Sequence, residues 1–117
     1  MFRILTVKNG ITMGELKELA HEGFKHVVKA VVDTKQGIMA VGGELHVDMQ
    51  VELIEQENSK NEDTWGINLY VDQVGDDLIE FDSMVNLKPS LGNNTRNVES
   101  EAVQEKIRNI VSKLVKQ

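Results

Sequence analysis

The fold depends most on the stretch Gly37–Glu52, which reads GIMAVGGELHVDMQVE. From Leu45 to Leu53, apolar and polar residues alternate strictly, and a period of two places the two sets on opposite faces of a β-strand. The pair Gly42–Gly43 interrupts the preceding apolar run, as glycines do at a bulge or a bend. The stretch therefore predicts a long strand that has one apolar face and a bend at its start.

Further strand-like runs lie on both sides of this stretch. The β-branched run Val27–Asp33 and the short connection Thr34–Gly37 predict a hairpin with it. Asp63–Val71 and Leu78–Leu87 alternate in the same way, so three consecutive runs predict an antiparallel meander with one apolar face. Phe2–Val7 predicts an additional short strand.

Two segments have helical signals. Thr12, followed by Glu15 three residues later, forms a capping-box sequence before a helix that begins near Met13. A second helix begins near Ser100, and its apolar residues recur at the spacing of one helix face: Val103, Ile107, Ile110, Val111, Leu114 and Val115. Two helices that cover the apolar face of a mostly antiparallel sheet make a two-layer α+β domain, which we expect to span residues 1–117.

The composition excludes several classes of function. The chain has 117 residues, 40% apolar and 27% charged, which suits one globular domain. Its formal net charge of −6 provides no basic footprint for nucleic acid, and the absence of cysteine rules out disulfides and thiolate metal sites. No apolar run reaches the roughly 18 residues of a membrane span, and the N-terminal apolar region is too short for a signal peptide. We therefore expect a cytoplasmic protein that does not bind membranes.

The polar face of the predicted sheet is the main candidate site. Strand alternation places these residues on it: His46, Asp48, Asn68, Glu80, Asp82 and Asn86. His46 and Asp48 are two apart on one predicted strand face, so they are candidate metal ligands or an acid/base pair. A solvated sheet face and a partner-binding surface are the alternatives, since His-x-Asp is a common sequence.

The connection Lys88–Arg96 is the second candidate site. Lys88, Asn93 and Arg96 gather hydrogen-bond donors in a glycine-containing loop ahead of a helix, where a small anionic ligand can bind. The loop matches no phosphate-binding or dinucleotide fingerprint, so an ordinary surface loop is the alternative.

Several segments resemble a family of small bacterial and archaeal proteins of unknown function. The resemblance covers most of the chain, including the last helix, and is strongest in these stretches: Val31–Asp33, Gly37–Glu44 with His46 and Asp48, Trp65–Tyr70, Glu80–Met84 with Asn86 and Pro89, and Asn93 with Arg96. It implies no activity, although it includes the polar residues that the strand pattern groups.

The favoured hypothesis is a non-catalytic binding or self-assembly module that needs no cofactor. A homodimer is the expected assembly, formed through the uncovered sheet face near Tyr70 and Met84. The alternative is a small metal-dependent or acid/base enzyme of hydrolase type. It would use His46 and Asp48, with Arg96 or Lys88 holding an anionic substrate.

Overall fold

A computed structural model describes all 117 residues of the chain. Its strands are β1 (Leu5–Val7), β2 (Ile11–Thr12), β3 (Val27–Asp33), β4 (Ile38–Val41), β5 (Thr64–Tyr70), β6 (Ile79–Glu80) and β7 (Val115–Lys116). Its helices are α1 (Met13–Glu22), α2 (His46–Glu57) and α3 (Glu101–Leu114). None of the three helices combines the length and the hydrophobicity that a membrane span requires.

Five strands form one sheet in the order β1-β4-β3-β5-β6, and all neighbours in it are antiparallel. A short parallel ladder joins β2 to β7 at the edge of the helical layer. β3 lies between β4 and β5 and is antiparallel to both, so β4 and β5 run parallel to each other. α2 connects them across β3. The α+β class and the mostly antiparallel sheet predicted from sequence are confirmed.

One face of the sheet packs against α1 and α3. The main core contains 18 buried residues, among them Leu16 and Leu19 from α1 and Ile107 and Val111 from α3. Trp65 is only 5% exposed in this core, where its strand alternation predicts it. The predicted capping box is present, since the Thr12 hydroxyl accepts from the Glu15 N–H. The Glu15 carboxylate accepts from the Thr12 N–H in return.

The opposite face of the sheet packs against α2, which the sequence prediction lacked. A second core of five buried residues joins the helix to β3 and β4: Val31, Ile38, Ala40, Met49 and Leu53. The part of this face that α2 does not bury carries polar side chains from β3, β5 and β6. The sheet is therefore covered by helices on both sides, with a polar region left at one end of the α2 side.

The predicted strand at Leu45–Leu53 is wrong, because this segment forms most of α2. Met49 and Leu53 lie one helical turn apart and are fully buried against the sheet, whereas Val47 and Val51 face solvent. The strand β4 ends just before Gly42, where a φ of +98° and the close approach of the Arg3 carbonyl oxygen leave no room for a Cβ atom. The expected bend at the glycine pair is thus the end of β4 and the start of the connection to α2.

The predicted strand at Leu78–Leu87 is also wrong beyond its first residues. Only Ile79–Glu80 pair with β5, and Met84–Asn86 form a 3₁₀ turn that folds back over it. The turn fits closely because Gly66 has no side chain. A Cβ atom at this position would lie 2.5 Å from the Ser83 Oγ atom and 2.9 Å from a Val85 methyl carbon.

Candidate functional site

His46 lies at the N-terminus of α2 and its ring reaches β5. The Nε2 atom is 2.8 Å from the carbonyl oxygen of Ile67. Because a carbonyl oxygen only accepts hydrogen bonds, Nε2 must carry the hydrogen, and Nδ1 of the neutral ring is then an acceptor. Nδ1 has no hydrogen-bond partner within the protein and is not enclosed.

The charge state of His46 follows from its surroundings. Burial is the main factor that lowers the pKa of His46, and the positive charges of Lys29 and Arg96 lower it further. The hydrogen bond to Ile67 and the charge of Asp82 act in the opposite direction but do not reverse the shift. The neutral ring is therefore the form expected at neutral pH.

A polar row crosses the sheet beside this histidine. In the strand register Lys29 lies opposite Asn68, which lies opposite Glu80. The Asn68 amide donates to Glu80 Oε1 at 2.9 Å and to the Asp82 carbonyl oxygen at 3.3 Å. The Tyr70 hydroxyl donates to the same Glu80 oxygen at 3.0 Å, and this hydrogen bond raises the pKa of Tyr70. The Asn68 Oδ1 atom is buried and has no partner.

Two cationic side chains near His46 keep donors free. Arg96 Nε donates to Asp82 Oδ1 at 2.6 Å, but its two terminal nitrogens make no hydrogen bond within the protein. The Lys29 ammonium lies 5.2 Å from the centre of the Phe24 ring and forms no ion pair or hydrogen bond. Both groups can therefore donate to a ligand without breaking an existing hydrogen bond.

These groups surround a pocket of about 310 Å³. Lys29, His46 and Arg96 provide its polar wall, while Leu45, Val47 and Met84 provide apolar lining. The first turn of α2 is part of the wall, and no side chain caps its N–H groups. An uncapped helix N-terminus has a partial positive charge. We call this cavity the His46 pocket.

Another cleft is larger but chemically less suited to a ligand. It measures about 580 Å³ and lies between Trp65 and the start of α3. Its ionisable lining consists of Glu62, Asp63, Glu99 and Lys106, so acidic groups predominate and no histidine is present. The His46 pocket is smaller, yet it combines free cationic donors with a neutral histidine.

Asn86 and Asn93, both predicted site residues, are buried and bonded within the chain. The Asn86 amide donates to the carbonyl oxygens of Gly66 and Arg96 and accepts from the Gly66 N–H, so it pairs with β5 as a strand would. The Asn93 amide donates to the carbonyl oxygens of Asn86 and Asn97. These contacts fix the path of the loop that brings Arg96 to the pocket.

Asp48 lies apart from the His46 pocket. On a helix, a separation of two residues turns a side chain by about 200°, so Asp48 and His46 point in different directions. Asp48 is exposed. No group of three or more His, Asp or Glu side chains is arranged to hold a metal ion. The shared strand face on which the metal hypothesis depended is absent.

A comparison with known protein families places this chain in one of them. The model of a family described as "Protein of unknown function (DUF5674)" matches residues 5–114. The chain belongs to this family. No curated protein and no solved structure matches it.

The DUF5674 match includes every residue of the His46 pocket, since Lys29 and Arg96 both lie within residues 5–114. The sequence pattern did not predict Lys29 as a site residue. Within the strand sequence VVKAVVD, alternation places Lys29 on the sheet face that α2 covers, and its neighbours Val28 and Ala30 on the other face. That signal was available, but recognising its importance requires the β3–β5 pairing, which periodicity does not encode.

Proposed function

We propose that this DUF5674 protein is a non-catalytic module that binds a small organic anion in the His46 pocket. One observation supports this above all others. Lys29, Arg96 and the first turn of α2 all line one pocket. The Lys29 ammonium and the two terminal Arg96 nitrogens have no hydrogen-bond acceptor in the chain, and no side chain caps the helix. Positive groups in this arrangement favour a carboxylate or a phosphate.

The pocket also suggests the shape of the ligand. Its volume of about 310 Å³ suits a molecule of a few to a dozen heavy atoms. Leu45 and Val47 can contact an apolar body, while Arg96 and Lys29 hold the anionic group. His46 Nδ1 can accept from a hydroxyl or an N–H group on the ligand. A small acid with an aromatic or branched body and one donor fits these requirements.

Isothermal titration calorimetry tests this proposal with benzoate, 4-hydroxybenzoate and phenyl phosphate, and with benzylamine as a cationic control of similar size. The anions should bind in the micromolar to millimolar range and benzylamine should not. Arg96→Ala and Lys29→Ala should each weaken anion binding about tenfold or more. Lys113→Ala removes the same charge from the exposed side of α3 and should change nothing.

Two results would contradict the anion site. One is equal binding of benzylamine and benzoate; the other is equal binding by the Arg96→Ala and Lys113→Ala variants. Circular dichroism of each variant separates loss of the site from loss of the fold.

A second candidate function is acid/base hydrolysis at the same pocket. It is favoured by the unprotonated Nδ1 of His46, since a neutral histidine is the form required of a general base. This function requires turnover. The protein should then release nitrophenol from 4-nitrophenyl acetate or from 4-nitrophenyl phosphate between pH 5 and 9. This activity should disappear in His46→Gln. Binding without turnover of either ester favours the non-catalytic module.

A further inference from the structure

The outer side of α2 has apolar residues that the fold does not use. Val47, Val51 and Ile54 recur at i, i+4 and i+7, so they lie along one side of the helix. Their exposures are 47%, 44% and 37%, respectively. We call these three residues the α2 stripe. Since Met49 and Leu53 are buried on the opposite side, α2 is apolar on two sides although only one contacts the sheet.

The α2 stripe is not explained by the stability of the helix. β-Branched residues such as Val47 and Val51 are poorer helix formers than alanine or glutamate, because their side chains lose rotational freedom in a helix. Burial usually compensates this loss, but here both side chains are about half exposed. A surface of this kind commonly marks an interaction site.

Acidic residues border the stripe along one side. Asp48, Glu52 and Glu55 follow each other around the edge of the helix, and none of them forms an ion pair within the chain. The next acidic residue, Glu57, is paired with Lys8 at 2.6 Å. The unpaired carboxylates therefore lie beside the stripe itself, where they complement a partner of positive charge.

We propose that the α2 stripe is a docking surface for a basic amphipathic helix of another protein. Apolar residues of the partner pack on Val47, Val51 and Ile54, and its Lys or Arg side chains pair with the acidic edge. A second copy of this chain fits less well. Two α2 stripes packed antiparallel about a two-fold axis would place their acidic edges opposite each other, in a chain whose net charge is already −6.

The test uses the full-length protein and a synthetic 18-residue helical peptide with leucines at i, i+3 and i+4 and lysines on both flanks. A second peptide has glutamate in place of each lysine. Fluorescence anisotropy should show one-to-one binding of the basic peptide only. The double variant Val51→Gln with Ile54→Gln, which preserves charge, should weaken binding at least tenfold. Asp48→Asn with Glu55→Gln should also weaken binding and reduce its dependence on salt.

A matched control removes two charges elsewhere. Asp76→Asn with Asp77→Asn changes two exposed carboxylates in the turn before β6 and should leave binding unchanged. Equal weakening in this control would mean general attraction to an acidic protein and would overturn the proposal. Unchanged binding in the Val51/Ile54 variant would do the same. A dimer detected by light scattering that Val51→Gln converts to monomer would assign the stripe to a second copy instead.

Discussion

Asn86→Ala should destabilise the protein strongly, although Asn86 is a single polar residue in a loop. Its side chain is completely buried and forms three hydrogen bonds with main-chain groups of Gly66 and Arg96, at 2.7 Å, 3.0 Å and 2.9 Å. It pairs with the edge of β5 at a point where β6 has already ended. The side-chain amide therefore replaces a missing strand.

The expected cost follows from these contacts. Three buried hydrogen bonds contribute about 1 kcal/mol each, and the Gly66 N–H, left buried without an acceptor, adds about 1 to 2 kcal/mol. The Arg96 carbonyl oxygen adds less to this cost, because it keeps a hydrogen bond from the Ser83 N–H. The total is about 3 to 5 kcal/mol, a large part of the stability of a typical domain.

Urea unfolding followed by circular dichroism measures this change. With a slope of about 2 kcal/mol per molar urea, the midpoint should fall by about 2 M. Asn94→Ala is the matched control, because Asn94 is exposed and its side chain makes only one long hydrogen bond, 3.4 Å to the Gly92 carbonyl oxygen. It should change stability by less than about 0.5 kcal/mol. A loss below about 1 kcal/mol in Asn86→Ala would refute the strand-replacement role.

Three further changes test other parts of the structure. Burial lowers the pKa of His46 below its ordinary 6.5, so the unfolded chain binds a proton at His46 more readily than the folded chain does. The free energy of unfolding should therefore fall as pH drops below about 6.5. Urea unfolding at pH 5, 6 and 7 should show a smaller loss of stability in His46→Gln than in the original protein. Gly66→Ala should lower the free energy of unfolding by about 1 to 3 kcal/mol, because the new Cβ atom would overlap Ser83. Gly14→Ala is the control within a helix: its Cβ atom would have no neighbour closer than 3.8 Å, so it should raise the melting temperature. Thr12→Ala removes the capping box and should cost about 1 kcal/mol in thermal unfolding, a result that an unchanged melting temperature would contradict.

Local signals were sufficient where the partners of a segment are close in sequence. The helix α1 follows from Thr12 and Glu15, whose mutual hydrogen bonds span three residues. The helix α3 is specified by one strong apolar stripe, and it begins where the sequence predicts, at Ser100, whose hydroxyl accepts from the Val103 N–H. The β3–β4 hairpin follows from a four-residue connection. In each case the signal that predicts the element lies within one helix or one hairpin.

The segment Leu45–Leu53 shows why periodicity was insufficient elsewhere. Its alternation suits a strand, but the same residues on a helix leave Met49 and Leu53 on one side and Val47 and Val51 on another. The choice depends on Val31 and Ala40, which lie on the α2 side of β3 and β4 and need an apolar cover. Helix formation there is decided by burial against distant strands and not by the local pattern.

The candidate site shows the same difference between what local sequence patterns predict and what contacts between distant segments decide. The sequence alone indicated that His46, Asn68, Glu80 and Arg96 are chemically interesting, but it placed the first three on a shared strand face and Arg96 in a separate loop site. In the structure His46 comes from a helix start and Arg96 from a loop fixed by buried amides, and Lys29 joins them through the pairing of β3 with β5. Local pattern determined α1, α3 and the β3–β4 hairpin, and the sequence determined which side chains are available to a site. Only packing between segments far apart in the chain decided which of them meet, because those contacts gain their free energy from burial that no single segment provides.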